Sequence, residues 1–510
     1  MGCGLTARLS FYGGAGEIGG NKILLEAEDS RVFLDFGTSF SREEEFFEFP
    51  LLRPACIGDL FKTGILPRLC GIYKNAGLSL DYASDGTPSI RGEEEECEID
   101  GVLLSHAHVD HYGYLGMLRP DIPVYLSTIS RRIIELRNDI REDWQTRVDL
   151  DALVPVEKGV DFEVGNLRVT RYDVDHSILG ASAYLIQVGD KNVAYTGDMR
   201  FHGNATSDSE NFLEACKRAG IDILLCEGTR LGPPSEEERE VESHALASET
   251  EVQQKCRDIF SNEEGLIIYD ASPADMNRMN IVCRVAQECG RTLVFDSKKG
   301  YFLLYINHPE VLCPGLPSVG DFKITLSRLK LHASRYSKYN LPEDLYAETY
   351  TDYRRAHEAS LLVSQRGKER ENPDLICLPD DAFIWGPLRE EVLQEPNRYL
   401  LYTSSGAHTL LHFLPADGRN VPGTYVYGKA EPFKEEMELS FRRLMKWIEL
   451  CGLKLGYAHT SGHMYQRDVE RLVSEINAKT VVPIHTEHPE LFTQWAKDVR
   501  IPNLGETLHL

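Results

Sequence analysis

The stretch LLSHAHVDHYGYLGML, Leu103–Leu118, decides how the rest of the chain is read. It leaves a short apolar run of strand character and places His106, His108, Asp110 and His111 within six residues. Alternate side chains of an extended segment share a face, so His106 and His108 point the same way. A turn after them can swing Asp110 and His111 round, so that two adjacent cations are served. Imidazole and carboxylate together, with no thiolate in the cluster, suit a borderline divalent ion such as zinc. The bland alternative is a surface loop that happens to be rich in histidine, and four such residues at this spacing weigh against it.

Four ligands do not complete two metal sites, so others are sought at strand ends. His176 follows a strand in YDVDHSILG, and Asp198 closes one in VAYTGDMRF, where a carboxylate can bridge two ions. Asp35 closes VFLDFG and can orient a ligand histidine or the water. Each alone reads more readily as an ordinary turn residue; they gain weight as a set. Upstream, GAGEIG (Gly14–Gly19) matches the dinucleotide pattern G-x-G-x-x-G. That pattern needs a following helix to receive a pyrophosphate, whereas NKILLEAEDSRVFLDFG reads as two strands around a turn. Tight-turn glycines are the expectation.

At 510 residues the chain exceeds what one hydrophobic core supports, so two or three domains are expected. Hydrophobic residues, 42% of the total, suffice for sizeable cores, and no apolar run approaches the ~18 residues of a membrane span. The opening MGCGLTARLSFYGG has no charged region followed by an apolar one and does not read as a secretory signal. The 12 cysteines are scattered without a CxxC pair, as expected of reduced thiols in the cytoplasm. A net charge of -25 argues against coating nucleic acid by bulk electrostatics and leaves room for a local basic groove.

Residues 1–235 alternate short β-rich runs with glycine or charged turns, and TISRRIIELRNDIREDWQTR adds helical apolar spacing. This predicts an α/β layered domain. Ser235 and the acids after it mark a helix start and a boundary, and a second α/β segment is expected over 236–430. Residues 431–510 then return to the first domain.

His106, His108, Asp110, His111, His176 and Asp198 resemble, in order, the ligand motifs of the metallo-β-lactamase superfamily, with Asp35 as its first aspartate motif. The resemblance implies an αββα sandwich with two zinc ions per chain at one edge of the paired sheets, activating a bridging hydroxide. A bound cation lowers the pKa of water towards roughly 7 and so supplies a nucleophile at neutral pH. Glu227 and Thr229 in LLCEGTR, His463 in TSGHMYQRDVERL and His485 in VVPIHTEH resemble the A, B and C motifs of the β-CASP nucleases, which carry an inserted α/β domain. By that resemblance His485 completes the zinc shell, His463 acts on the leaving group and Glu227 holds His463. The likeness extends to the ribonuclease J group through GGAGEIGGN, LDFG, SHAHVDH, YTGD, SGH and PIHTEH. Two stretches depart from it, YGYLGML after the histidine cluster and YTSSGAHTLL in the middle.

A phosphodiester substrate needs cations, and KITLSRLKLHASRYSKYN supplies Lys323, Arg328, Lys330, Arg335 and Lys338 with Tyr336 and Tyr339 between them. Aromatics stack bases while cations follow phosphates; a solvated helix face is the competing reading. Arg328, Lys330, Arg335, Tyr336 and Ser461 are the candidate nucleic-acid contacts. The expected function is a zinc ribonuclease on single-stranded RNA, exonuclease or endonuclease, with DNA as an alternative strand, a homodimer allowed and no membrane partner. A thioester or lactone hydrolase of the same superfamily and an inactive scaffold are the rival readings. The insert and His463 have no role in the former, and a full ligand set opposes the latter.

Overall fold

The computed structural model describes residues 7–27, 29–48, 51–69, 71–74, 99–140, 147–233, 244–272, 275–306, 322–325, 383–384, 391–404, 406–407, 410, 421–429 and 435–509. The chain divides into two units, Met1–Pro233 with Gly462–Leu510, and Pro234–Ser461.

In the first unit, β1 (Ala7–Gly13), β2 (Lys22–Ala27), β3 (Ser30–Leu34), β4 (Gly101–Leu103), β5 (Val124–Leu126) and β6 (Leu153–Pro155) form one sheet in that order. A second sheet contains β7 (Asp161–Val164), β8 (Leu167–Asp173), β9 (Ser182–Val188), β10 (Lys191–Tyr195) and β11 (Ile223–Glu227). The β1–β2 pair is antiparallel and the glycines of GAGEIG fall in its turn, so no helix follows them. The helices are α1 (Phe40–Phe46), α2 (Ile57–Lys62), α3 (Val109–Tyr112), α4 (Thr128–Ile140) and α5 (Thr206–Ala219). Leu9, Phe11, Leu25 and Leu34 of the first sheet pack face to face with Val169, Tyr184, Val193 and Leu225 of the second.

The second unit is one parallel sheet. β12 (Leu266–Asp270), β13 (Thr292–Asp296), β14 (Phe322–Thr325), β15 (Phe383–Ile384), β16 (Tyr399–Thr403), β17 (Gly423–Tyr427) and β18 (Lys454–Tyr457) lie in the order β15-β14-β13-β16-β12-β17-β18. LIIYD, YLLYT and GTYVY are buried throughout, the apolar run expected of strands covered on both faces. Helices α6 (Glu249–Asn262), α7 (Met276–Glu288), α8 (Ser297–Ile306) and α9 (Glu435–Leu450) alternate with them. The expected return to the first unit at residue 431 is corrected to Gly462, because β18 pairs in parallel with β17 and α9 packs Phe441, Leu444 and Ile448 into the second unit's core.

After the insert, α10 (Gln466–Ile476), β19 (Thr480–Ile484) and β20 (Thr507–His509) complete the first unit. β19 pairs in parallel with β11 and β20 pairs with β1. Val469, Leu472 and Val473 of α10 and Phe212 and Cys216 of α5 cover the outer face of the second sheet against Leu224, Cys226 and Val481. With α4 against β6 on the other side, the unit is an αββα sandwich. Among the described residues no helix is long and apolar enough to cross a membrane.

Candidate metal centre

Every ligand expected from the sequence follows the C-terminal end of a strand. Asp35 follows β3, His106–His111 follow β4, His176 follows β8, Asp198 follows β10 and His485 follows β19. Within each sheet those strands run the same way, so their ends collect at one edge. The register Glu227↔Ile484 sets Glu227 beside the residue preceding His485.

The loops after β3 and β4 are zipped together by backbone bonds from Phe36 N to the His111 carbonyl (2.9 Å) and from Thr38 N to the Val109 carbonyl (3.1 Å). Gly37 permits that approach: a Cβ there would lie 1.6 Å from the Asp110 carbonyl oxygen. Gly19, with φ +79°, similarly leaves space for the Asp110 carboxylate, which a Cβ would meet at 2.8 Å. The glycine-rich turn thus packs on the ligand cluster instead of cradling a nucleotide.

His108 Nδ1 lies 2.9 Å from His106 Nε2 and 3.1 Å from His176 Nε2. Asp198 Oδ2 lies 3.0 Å from His111 Nε2, 3.6 Å from His485 Nε2 and 3.7 Å from His106 Nε2. Asp110 Oδ2 lies 3.3 Å from His485 Nε2 and 3.8 Å from His111 Nε2. The side chains therefore make two overlapping sets, His106, His108 and His176 on one side and Asp110, His111 and His485 on the other, with Asp198 between them.

Hydrogen bonds at the far ring nitrogens assign the tautomers. His106 Nδ1–H donates to Ser105 Oγ (3.0 Å), His111 Nδ1–H to Asp35 Oδ2 (2.6 Å), His176 Nδ1–H to the Gly462 carbonyl (2.6 Å) and His485 Nδ1–H to Thr229 Oγ1 (2.8 Å). Each then presents a bare Nε2 to the cluster, the arrangement by which outer partners orient metal-bound imidazoles. Asp35 and His485 also hold left-handed backbones, φ 58° and 52°, which non-glycine residues seldom adopt. Such strain is kept where surrounding contacts over-determine it.

The residues fit divalent metal binding. Three ring nitrogens, His106 Nε2, His108 Nδ1 and His176 Nε2, converge at about hydrogen-bond distance, where a cation could take all three lone pairs. Asp198 Oδ1 is buried with no hydrogen-bond partner, and His111 Nε2, though close to Asp198, makes no aligned bond. Burial pushes the His106 and His176 pKa values well down, helped by their histidine neighbours, and drives His108 down to about 3, so all three are neutral donors. Burial opposes protonation of His111 too, but Asp198, Asp35 and Asp110 outweigh it and hold the ring well above its ordinary value. The carboxylates thus demand positive charge where a cation would supply it.

His463 stands beside this cluster. Its Nδ1 lies 3.4 Å from Glu227 Oε1 and 3.8 Å from Asp198 Oδ2, and its side chain is 15% exposed while Glu227 is fully buried. Burial lowers its pKa, yet Glu227 foremost and then Asp198 and Asp110 raise it above the ordinary value. His463 could join His176 and Asp198 as a third ligand group, and Glu227 competes for it at ion-pair distance.

The sequence reading missed four members of the site. Tyr195 donates to Asp35 Oδ2 (2.5 Å) and accepts from Asn21 Nδ2 (3.1 Å), and Ser105 Oγ donates to the same Asp35 oxygen (2.7 Å). Gly462 acts through its carbonyl. Tyr195 is hidden in an apolar strand, although its place three residues before Asp198 was a usable clue. Of the candidate nucleic-acid contacts, Ser461 is buried at 2% exposure in the second unit. Arg328, Lys330, Arg335 and Tyr336 lie outside the described residues.

The model of the beta-lactamase superfamily domain matches residues 75–251. Ribonuclease J of Mycolicibacterium smegmatis is 27% identical over 215 residues, 41% of this chain and 36% of that protein. Ribonuclease J 1 of Streptococcus pyogenes serotype M3 is 19% identical over 501 residues, 96% of this chain and 70% of the relative. A solved structure described as a protein of unknown function from Enterococcus faecalis V583 superposes with a TM-score of 0.68 at 22% identity, covering 99% of this chain and 100% of that one.

Proposed function

We propose that the chain, whose residues 75–251 match the beta-lactamase superfamily domain, is a two-zinc ribonuclease of the β-CASP kind, hydrolysing phosphodiesters of single-stranded RNA. One observation supports the reading: beside the histidine and aspartate groups that could hold metal, His463 Nδ1 lies 3.4 Å from the buried carboxylate of Glu227. A hydrolase with a thiol or activated alcohol leaving group has little need of that acid. A ribose 3′ oxygen does need it. The ribonuclease J relatives support the choice of RNA, and the parallel α/β insert beginning at Pro234 has no place in a compact thioesterase.

Imidazole and carboxylate ligands favour zinc. Divalent ions held by His106, His108, His176, Asp198, Asp110, His111 and His485 would lower the pKa of the attacking water to roughly 7 and neutralise phosphoryl charge. The protein's own groups do the rest. Asp35, Ser105, Gly462 and Thr229 fix which nitrogen each ligand histidine presents. Glu227 fixes His463 through Nδ1, leaving Nε2 to deliver a proton to the departing 3′ oxygen. The 7 described free cysteines accord with work in a reducing cytoplasm.

The test is a set of end-labelled RNA and DNA strands with 5′ phosphate or 5′ triphosphate, incubated with zinc-loaded protein. Cleavage of RNA, with products bearing a 3′ hydroxyl, is expected. Cleavage of DNA alone, or of neither strand while a thioester or lactone is hydrolysed, overturns the reading.

A further inference from the structure

Glu227 and the ligand His485 are joined through one side chain. Thr229 Oγ1 lies 2.7 Å from Glu227 Oε2 and 2.8 Å from His485 Nδ1, and the residue is buried at 5% exposure. We propose that Thr229 is a positioning residue that couples the second metal site to His463, so that filling the site sets the acid in place. The proposal rests on the ribonuclease reading for the role of His463 and on geometry alone for the relay.

Hydrogen-bond polarity carries the argument. His485 can face the cluster with a bare Nε2 only if Nδ1 carries the hydrogen, and that hydrogen points at Thr229 Oγ1. The hydroxyl is then occupied as an acceptor and has one donor left. Glu227 Oε2, at 2.7 Å, is much nearer than the other acceptor in reach, the His485 carbonyl at 3.4 Å, so the O–H points there. The Thr229 backbone N–H adds a second donor to the same oxygen at 3.1 Å, and Met199 N–H donates to Oε1 at 3.2 Å. With donors on both oxygens, Glu227 acts as the acceptor of these bonds. The His463 atom that faces it is Nδ1, 3.4 Å from Oε1 and within ion-pair distance. The order His485 Nδ1–H to Thr229 O–H to Glu227 to His463 Nδ1–H has a single consistent direction. A cation on His485 Nε2 enforces it by excluding the other tautomer.

The ring planes agree with this. His463 and His485 are stacked at 29° with centroids 5.7 Å apart, so a rotation of either is felt by the other as well as by the relay. Valine keeps the shape of Thr229 and removes the hydroxyl, leaving both His485 Nδ1–H and Glu227 Oε2 short of a partner in a buried place.

Five zinc-loaded proteins decide the matter: wild type, Thr229→Val, Thr229→Ser, His463→Ala and the Thr229→Val, His463→Ala double variant. Zinc affinity is measured by competition with a chromogenic chelator, kcat and KM on an end-labelled RNA strand, and the His463 ring by its nitrogen-15 shifts. Thr229→Val is expected to bind the more weakly held zinc some 10–100-fold less well, the usual loss for an outer partner. At saturating zinc its kcat should stay down roughly ten-fold or more with KM unchanged, and the loss should vanish in the His463→Ala background. Thr229→Ser should restore both. Normal kcat at saturating zinc, or losses that multiply in the double variant, overturns the coupling. If the wild type cleaves no strand, the ribonuclease reading falls. The relay then stands only if zinc affinity and the His463 ring signal both change in Thr229→Val and return in Thr229→Ser, and falls otherwise.

Discussion

Asp35 Oδ2 accepts from His111 Nδ1 at 2.6 Å, and Tyr195 and Ser105 crowd the same oxygen at 2.5 and 2.7 Å. A carboxylate oxygen that accepts from three donors fixes the imidazole's tautomer. Asp35→Asn replaces one oxygen by a donor, which clashes with at least one of them. Its zinc affinity should fall about 10–100-fold, with Tyr195→Phe giving a smaller loss, both read by chelator competition.

Asp198 lies between the two ligand groups, so under the two-zinc reading its removal touches both sites. Asp198→Ala should lose at least one zinc and all measurable cleavage, by elemental analysis and RNA assay. Two ions retained in that variant would mean that the sets do not overlap as described.

His463→Ala separates acid from ligand. It should keep both zinc ions and near-normal RNA affinity while kcat drops by a factor on the order of 10² to 10⁴. A strand with sulfur at the leaving position needs no protonation and should recover most of the rate. Loss of zinc instead would place His463 among the ligands with His176 and Asp198.

Arg278 and Glu249 form a fully buried pair in the second unit, 2.8 Å apart, and Arg278 also donates to the carbonyls of Gly428 and Ala458. Glu249→Gln strands an uncompensated guanidinium. The expected cost is about 3–5 kcal/mol, read by chemical denaturation, and Arg278→Met on top of it should recover part.

Lys22 is buried, donating to the carbonyls of Gly20 and Gly37, and burial lowers its pKa to about 8 despite Glu17. A lysine whose folded pKa lies below its unfolded value penalises folding at lower pH. The penalty is full below about 8 and fades as pH rises towards the ordinary lysine value of 10.5. The melting-temperature difference between wild type and Lys22→Met should therefore move in favour of the wild type between neutral pH and the region above about 8. A difference that does not change with pH would show that Lys22 does not titrate there.

The ligand set was legible because it is local: His106, His108, Asp110 and His111 share one strand end, where spacing alone argues for metal. His176, Asp198 and His485 were legible as polar residues closing apolar strands. What sequence could not supply was the partner across space. Tyr195 reads as an ordinary strand aromatic, Gly462 acts by a carbonyl every residue has, and the Thr229 hydroxyl matters only because parallel pairing of β11 with β19 sets it beside His485. The boundary near 431 failed for a similar reason. The helix and strand after it continue the same alternation on both sides of the true crossing, and only the pairing of β18 with β17 shows to which sheet they belong.

The order of residues around the insert has a consequence for synthesis. His106, His108, His176 and Asp198 all emerge before Pro234, whereas His463 and His485 follow the whole inserted unit. β19, the strand that delivers His485, adds to the edge of a sheet whose other strands are already complete. A chain still being made can therefore gather one full set of cation ligands while lacking both a member of the other and its proton donor. Under the proposed reaction, hydrolytic competence therefore arrives only after the whole inserted unit has been made.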